Sequence, residues 1–477
     1  MRFKFPKTKI VATLGPASFK NDMIKKFLNA GVDAFRLNMS HGSFQDFADL
    51  IQRIRKISNE NSRGVAIVLD LPGPKMRLGK LEKEIHIKKG DKVVFSSNPN
   101  EKIKDTIVLP HTIEGLGKNV KKGAIIYVSD GMLQFKVIEI KGKKIMTRAM
   151  LPGTVRSHKG INVPGLEIKG GAITDFDKSC IEFGVKNKVD IICVSFVGGK
   201  KDIETARALL PNDPHYKPFI LAKIERKVAL DNIQEIIEAA DAVMVARGDL
   251  GVELPIEEIP LRQKEIIHIA NMEAKPVIVA TQMLESMVDN LRPTRAEVTD
   301  IANAILDGAD AIMFSEETAI GKHPLEVVKT AIKIAKLTEH ALLEPGSMAQ
   351  QIREKIRHSK RIDDMISIAT YDILSNKTVS FLVAPTTTGM TARRISRIRP
   401  RQWILAITDN YTTRNILNIS FGVMPMYMGR LTLVKDEFTK FLEGEGIINK
   451  GDRIVITSGT LFGIPGSTNS LKVIDVE

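Results

Sequence analysis

Cysteine, aromatic residues and long apolar runs are all scarce in this sequence, and each scarcity excludes something. Only two cysteines occur, Cys180 and Cys193, and Cys193 lies inside an apolar run that reads as a strand. A disulfide framework is therefore not expected, and a reducing cytoplasm is the expected location. No apolar run approaches the ~20 residues that a membrane-spanning helix needs, and the start, MRFKFPKTKI, has no apolar stretch of signal-peptide length. Aromatic residues make up 5%, with no zinc-ligand spacing and no basic-aromatic stacking platform. Neither a membrane nor a nucleic acid is an expected partner. Acidic residues are outnumbered, 56 against 70 Lys+Arg, for a formal charge of +14. That excess fits a lysine-rich solvated surface or the binding of small anions.

What is present is a long chain of ordinary globular composition, 477 residues with 43% hydrophobic and 26% charged. Such a length exceeds one hydrophobic core and implies several domains. Short β-branched runs alternate with longer amphipathic stretches: KIVATLG from Lys9, AFRLNMS from Ala34, AIVLD from Ala66, IICVSF from Ile191, ILAKIE from Ile220, AVMVARGD from Ala242, PVIVAT from Pro276 and AIMFS from Ala311. Eight buried-type strands, most followed by room for a helix, predict an α/β fold built on a TIM (β/α)8 barrel. Asp33, Asp190, Asp241 and Asp310 each lead directly into one of these runs. In a barrel they fall at the N-terminal rim, where residues serve stability. Thr294 and Glu297 form a capping-box signature, with Val298, Ile301, Ala302, Ile305 and Leu306 following at helical period.

The third run is followed by a different texture instead of a helix. KKGDKVVF, GAIIYVSD, MLQFKVIEI and KKIMTRAM, separated by Lys-Gly and Asp-Gly turns, read as a small antiparallel β domain inserted at the barrel's active-site face, where it would act as a lid. Past the barrel, VSFLVAP, QWILAIT and RIVITSG predict an open α/β domain. The expected division is residues 1–72 and 171–344 for the barrel, 73–170 for the β-barrel-like lid and 345–477 for a C-terminal regulatory or oligomerisation domain.

Polar residues collect where the strands end. The second strand offers Arg36, Asn38 and Ser40 at alternating positions, then His41, and the third ends in Asp70. The fifth carries Lys223 and Glu225, two apart and so on one face. The sixth ends in Arg247-Gly248-Asp249, the seventh in Thr281 and the eighth in Ser315. A buried Lys or Glu is costly unless paired or metal-bound. Glu225 and Asp249 are hard oxygen donors suited to Mg2+ or Mn2+, with no Cys or His beside them. Lys223 and Arg36 supply the fixed positive charge that phosphoryl transfer requires. Gly248 would let main-chain N–H groups approach an anion at a helix start. GxxxxGK[ST], HRD and DFG are all missing, so any phosphoryl chemistry is of neither the P-loop nor the protein-kinase kind.

The motifs MVARGDLGVE (from Met244), KPVIVATQMLESM (from Lys275), RPTRAEVTDIANAILDGADA (from Arg292), FRLNMSHG (from Phe35), SHKGINVPG (from Ser157) and AKIE (from Ala222) occur in the order and spacing of one family. On these the chain resembles the pyruvate kinases, over essentially its whole length. The resemblance implies phosphoryl transfer from phosphoenolpyruvate to ADP, with ATP as product, in glycolysis. It implies that Lys223 neutralises the phosphoryl group in flight, that Arg36 contacts it, and that Glu225 and Asp249 hold the divalent ion. Amides near Gly248 would meet the substrate carboxylate. Thr281 would sit near the carbon that is protonated, with Ser315 helping the proton relay, and Asn38, His41, Arg77 and Lys159 would lie near the nucleotide. Relatives are homotetramers, and Arg292 resembles the arginine that reaches towards a neighbour's active site.

Departures from the family pattern carry their own expectations. Many members show Asp-Thr-Lys-Gly-Pro-Glu after the third strand and use K+; here the run is Asp70-Leu71-Pro72-Gly73-Pro74-Lys75. Leu71 removes a hydroxyl ligand. Lys75 puts an ammonium where the carboxylate would be, in the region of Asn38, Ser40 and Asp70, so K+ is not expected to be required. Arg226 and Gly198 also differ, in the outer surroundings of the site. Thr386, Thr387, Thr388, Gly389 and Thr391, with Pro465-Gly466-Ser467-Thr468-Asn469-Ser470 as a second loop, resemble a site for a phosphorylated sugar or AMP effector; a helix cap plus a turn is the plain alternative. The arginines at 393, 394, 397, 399 and 401 read as a solvated helix face, an effector or subunit-interface feature, or a nucleic-acid patch. The rival functions are another Mg-dependent TIM-barrel enzyme of phosphoenolpyruvate or an oxo acid, such as an aldolase, and a non-catalytic pseudoenzyme.

Overall fold

The computed structural model describes residues 4–74, 76–98, 101, 103–104, 106–113, 115–129, 131–166, 171–213, 215–343, 347–375, 378–429, 435–459 and 468–477. The eight β-branched runs become barrel strands: β1 (Lys9–Thr13), β2 (Ala34–Asn38), β3 (Ala66–Asp70), β4 (Ile191–Val194), β5 (Phe219–Ile224), β6 (Ala242–Ala246), β7 (Val277–Ala280) and β8 (Ala311–Phe314). They close in the order β1-β8-β7-β6-β5-β4-β3-β2, every neighbouring pair parallel. Parallel strands buried on both faces must be apolar throughout, as IICV of β4 and VIVA of β7 are. The inward residues include Val11, Ala34, Val68, Leu221 and Met244, and Ile416 and Ile419 from the C-terminal region close the floor against them.

The rim aspartates staple this barrel. The carboxylates of Asp33, Asp190, Asp241 and Asp310 accept the backbone N–H of Ile10 at 3.0 Å, Ile67 at 2.7 Å, Ile220 at 3.0 Å and Val277 at 3.0 Å, each on the adjacent strand. Each also pairs with an arginine: Arg63 at 3.4 Å, Arg55 at 2.6 Å, Arg207 at 2.9 Å and Arg399 at 3.0 Å. Their lone pairs are used in holding neighbouring strands in register.

The chain leaves β3 for the inserted region through Gly73, which has φ +65° and whose missing Cβ would stand 2.8 Å from the Phe196 ring. Only glycine passes there without displacement. The insertion forms a sheet in the order Ile161–Asn162, Ile125–Val128, Leu133–Lys141, Lys144–Ala149, Lys92–Ser96, Ile107–Pro110, beside a two-stranded pair. Its own core includes the edge-to-face pair Phe95 and Phe135. The sheet is not wholly antiparallel, because Lys92–Ser96 and Ile107–Pro110 run parallel.

The C-terminal sheet runs Val423–Tyr427, Ile404–Thr408, Phe381–Pro385, Arg453–Gly459, Thr468–Asp475, parallel except for its last strand. Its arginine cluster corrects one expectation. Arg393, Arg397 and Arg399 are 6%, 4% and 2% exposed, so this is no solvated face. Arg399 pairs with Asp310, and Arg397 donates to the Met272 carbonyl at 2.6 Å while pairing with Asp364. Arg394 pairs with Asp363 at 3.0 Å, and only Arg401 is exposed. Sequence periodicity could not reveal this, because Asp310 and the Met272 carbonyl lie 89 and 125 residues away, and Asp363 and Asp364 stand on a separate helix, Ile362–Leu374. Among the described residues no helix is long and apolar enough to cross a membrane.

Candidate active site

At the opposite end, the strand termini and the inserted sheet enclose a cleft of about 440 Å³. Its wall includes Arg36, Asn38, Ser40, His41, Asp70, Leu71, Lys223, Glu225 and Asp249 from the barrel, and Arg77 and Lys159 from the insertion. Residues distant in sequence thus converge because parallel strands deliver all their C-terminal ends to one face.

The centre of the site is a buried charge network. The Lys223 ammonium lies 2.7 Å from Glu225 Oε1 and 3.4 Å from Asp70 Oδ1, and donates to Ser195 Oγ at 2.9 Å. Ser195 Oγ in turn donates to the Leu71 carbonyl at 2.6 Å. Arg36 donates to Asp70 Oδ2 through Nε at 2.8 Å and to Thr13 Oγ1 at 3.0 Å. Burial opposes the charge of Lys223, but the Asp70 and Glu225 carboxylates outweigh it and raise the ammonium above its ordinary range. Burial likewise opposes ionisation of Asp70, yet Lys223 and Arg36 win and hold that carboxyl below its usual range. Both groups are therefore charged throughout the neutral range.

Among the described residues no group of three or more His, Cys, Asp or Glu side chains is placed to hold a metal. The donor set is two carboxylates, Glu225 and Asp249, on one cleft wall. Glu225 Oε2 accepts the Phe196 N–H at 2.6 Å while Oε1 faces Lys223, which leaves each oxygen a further lone pair. Mg2+ is commonly bound by one or two carboxylates plus phosphate oxygens and water, so this pair fits it.

Thr281, Gly248 and Ser315 stand apart from the cleft wall. Thr281 has φ +71° and Gln282 φ +55°, a left-handed pair strained for a β-branched residue by about 1–3 kcal/mol. Arg247 holds this turn, donating to the Thr281 carbonyl at 2.8 Å while pairing with Asp300 at 2.6 Å. Thr281 Oγ1 accepts the Gly248 N–H at 2.7 Å. The amide expected to meet an anion is thus taken by the threonine hydroxyl in this structure. Nor is glycine sterically required at 248, where an added Cβ would find only ordinary contact with Thr281 at 3.5 Å. Ser315 precedes the Glu316–Ala319 helix, its N–H bound to Glu317 Oε2 at 2.7 Å.

Other expected site residues fall as follows. Lys159 and His41 are exposed at the cleft edge, and the Arg77 side chain donates to the His158 carbonyl at 3.0 Å. Lys75 lies outside the described residues, as do Pro465, Gly466 and Ser467. The Thr386–Gly389 turn closes on itself, Thr386 Oγ1 accepting the Gly389 N–H at 2.9 Å, and Thr388 is exposed. Thr391 Oγ1 meets Thr468 Oγ1 at 2.7 Å, which brings the two candidate effector segments together. Arg292 is exposed.

Ser195, Phe196 and Glu253 also belong to the site and were missed. Ser195 follows β4 directly, next to last in the run IICVSF, and obeys the same strand-end rule as Asp70, so that signal was available. Phe196, at φ +56°, contributes through its main chain, which no side-chain pattern reports. Glu253 accepts the Lys227 N–H at 3.3 Å, and burial raises its carboxyl above the usual range.

Comparison with known proteins adds an independent line. Residues 5–328 match the family described as pyruvate kinase, barrel domain, and residues 364–474 match pyruvate kinase, alpha/beta domain. The chain is 42% identical over 472 residues to a pyruvate kinase of Thermococcus litoralis, covering 98% of each. It is 39% identical to one of Thermotoga maritima, covering 98% of this chain and 99% of that one. The crystal structure of a pyruvate kinase from Cryptosporidium parvum superposes with a TM-score of 0.92 at 30% identity, covering 100% of this chain and 97% of that one.

Proposed function

This chain belongs to the pyruvate kinase family, and from that premise we propose that its barrel mouth moves the phosphoryl group of phosphoenolpyruvate to ADP, releasing pyruvate and ATP in glycolysis. The observation that carries the reading is the Lys223 ammonium held between Glu225 and Asp70 in a cleft that Arg36 and Asp249 also line. A phosphoryl group in flight spreads negative charge over its equatorial oxygens, and catalysis consists of positioning and neutralising it. Lys223 supplies that charge already desolvated and oriented, so little reorganisation is needed during reaction. Arg36, fixed by Asp70 and Thr13, contacts the same group.

Mg2+ or Mn2+ held by Glu225 and Asp249 supplies, when bound, Lewis-acid neutralisation of the phosphate and enolate oxygens. Gly248 and Asp249 bind the substrate carboxylate end, and the Gly248 amide becomes available to it if the Thr281 hydroxyl turns away. Thr281 stands by the carbon that is protonated, and Ser315 aids the proton's passage. Asn38, His41, Arg77 and Lys159 bind the nucleotide. The inserted domain, residues 73–170, closes over the barrel of residues 1–72 and 171–344, bringing Lys159 in and excluding water that would hydrolyse the donor.

The enzyme works without K+, Lys75 providing the monovalent charge near Asn38, Ser40, Asp70 and Leu71. It resides in the cytoplasm as a homotetramer, with Arg292 directed to a neighbouring subunit and residues 345–477 serving regulation and assembly. Thr386, Thr387, Thr388, Gly389 and Thr391 receive a phosphorylated sugar or AMP.

A coupled assay for ADP-dependent pyruvate release, run with and without K+ and titrated with sugar phosphates and AMP, tests these points together. Turnover without K+ is expected, and Lys75→Glu should introduce K+ dependence. Aldol cleavage without nucleotide would favour the rival barrel chemistry; no turnover combined with salt-sensitive RNA binding would favour a pseudoenzyme.

A further inference from the structure

Where the inserted domain returns to the barrel, Gly165 and Leu166 are met by two barrel side chains that the mechanism above leaves unused. Arg226 Nη2 donates to the Leu166 carbonyl at 2.6 Å. The Gly165 N–H faces the Glu253 carboxylate and favours its charged form. Leu166 and Glu253 are both buried, and a charge-assisted hydrogen bond shielded from water counts for more than one on the surface. Asp202 holds the chain again at Ala172, accepting its N–H at 3.0 Å.

Arg226 and Glu253 each stand beside one carboxylate of the candidate metal pair. Arg226 follows Glu225 directly, and its extended backbone, φ −129° and ψ 149°, sends its side chain to the opposite side. Glu253 lies one turn after Asp249 on the Arg247–Glu253 helix, so the two share a face. Both residues line the cleft, together with Leu166. Among the described residues Arg226 forms no ion pair, although Glu253, Asp202 and Glu225 are near enough to act on its charge. Its guanidinium meets the returning chain instead. Gly198 leaves it room, since an added Cβ there would already touch Arg226 Nη1 at 3.5 Å.

We propose that Arg226, supported by Glu253, is a positioning residue of the reaction. It fastens the returning limb of the inserted domain to the strand and helix that carry Glu225 and Asp249, and so holds the nucleotide-binding side chains of that domain over the cleft. The proposal rests on the insertion acting as a closing lid. A lid that is fastened less often binds nucleotide less tightly in the same proportion. Lys223 and Arg36, which meet phosphoenolpyruvate, belong to the barrel and stay in place.

Hydrogen exchange and steady-state kinetics on the full chain test this together. In Arg226→Met the amides of residues 161–166 should exchange about tenfold faster than in the wild type, with those of β5 unchanged. KM for ADP should rise about tenfold, and KM for phosphoenolpyruvate by less than about twofold. Arg226→Lys keeps a cationic donor and should recover about half of each effect. Unchanged exchange at 161–166 overturns the proposal. So does a fall in kcat with both KM values unmoved, which marks lost folded enzyme, or a lysine variant no better than methionine. Should Arg226→Met fail to fold, Arg226→Gln is read against the same expectations. A wild type without ADP-dependent turnover would sink the function proposed above, and the exchange result would still decide whether Arg226 fastens the limb.

Discussion

At the N-terminal rim, Asp33, Asp190, Asp241 and Asp310 each meet an arginine and the backbone of the adjacent strand. At the C-terminal mouth, Asp70 and Glu225 are as buried as Asp190 and Asp310, but they flank a lysine whose ammonium lines an open cleft. Burial of a carboxylate is common to both ends and so says nothing about function. What separates them is whether the positive partner can still meet a ligand. The rim arginines are consumed in structure, whereas Lys223 keeps one side towards the cleft.

Substitutions at the two ends should therefore differ in kind. The largest effect belongs to Lys223→Met, which should lower kcat by about 10³, measured by pyruvate release at saturating substrates. A loss below tenfold would erase the distinction drawn between mouth and rim. Glu225→Gln should raise the Mg2+ concentration needed for half-maximal rate at least about tenfold, read by metal titration; an unchanged titration would move the metal elsewhere.

At the rim, Arg399→Leu leaves Asp310 buried with its charge uncompensated. It should reduce unfolding free energy by about 3–5 kcal/mol in denaturant melts, with kcat at permissive temperature changed less than twofold. A large kcat loss without destabilisation would mean the rim is functional too.

The smallest effect concerns pH. The Asp70 carboxyl is depressed, so its stabilising contribution is present above ~3.9, the unfolded value, and fades as pH falls through the lower folded value. The Lys223 ammonium is raised, so its contribution is full below ~10.4 and fades only as pH climbs through the higher folded value. Stability should hence be insensitive to these groups between about pH 5 and 9. Asp70→Asn should flatten only the acid limb of a plot of denaturation midpoint against pH; a change near neutrality would refute the charge states assigned here.

Much of this contrast was legible before any coordinates. Strand runs such as AIVLD and IICV announce themselves because both faces of a parallel barrel are buried, and polar residues at their ends mark the mouth. The aspartates preceding β2, β4, β6 and β8 were readable as structural by the same topology. The arginine cluster was not. A run of basic residues looks solvated until one knows that Asp310 and main-chain carbonyls of the barrel, with Asp363 and Asp364 of a nearby helix, meet it, and that is tertiary information. The occupied Gly248 amide was equally hidden, because it depends on the left-handed turn at Thr281, a shape no residue pattern specifies.

The claim on which the rest depends is that Lys223, Glu225 and Asp249 address one ligand. Crystals grown with Mn2+ and a non-reactive analogue of phosphoenolpyruvate, with data collected at the manganese edge, test it directly. The account predicts an anomalous peak within about 2.2 Å of carboxylate oxygens from both Glu225 and Asp249, with the Lys223 ammonium on a phosphoryl oxygen of the same complex. A manganese peak bound to neither carboxylate, or an analogue seated away from Lys223, would contradict it.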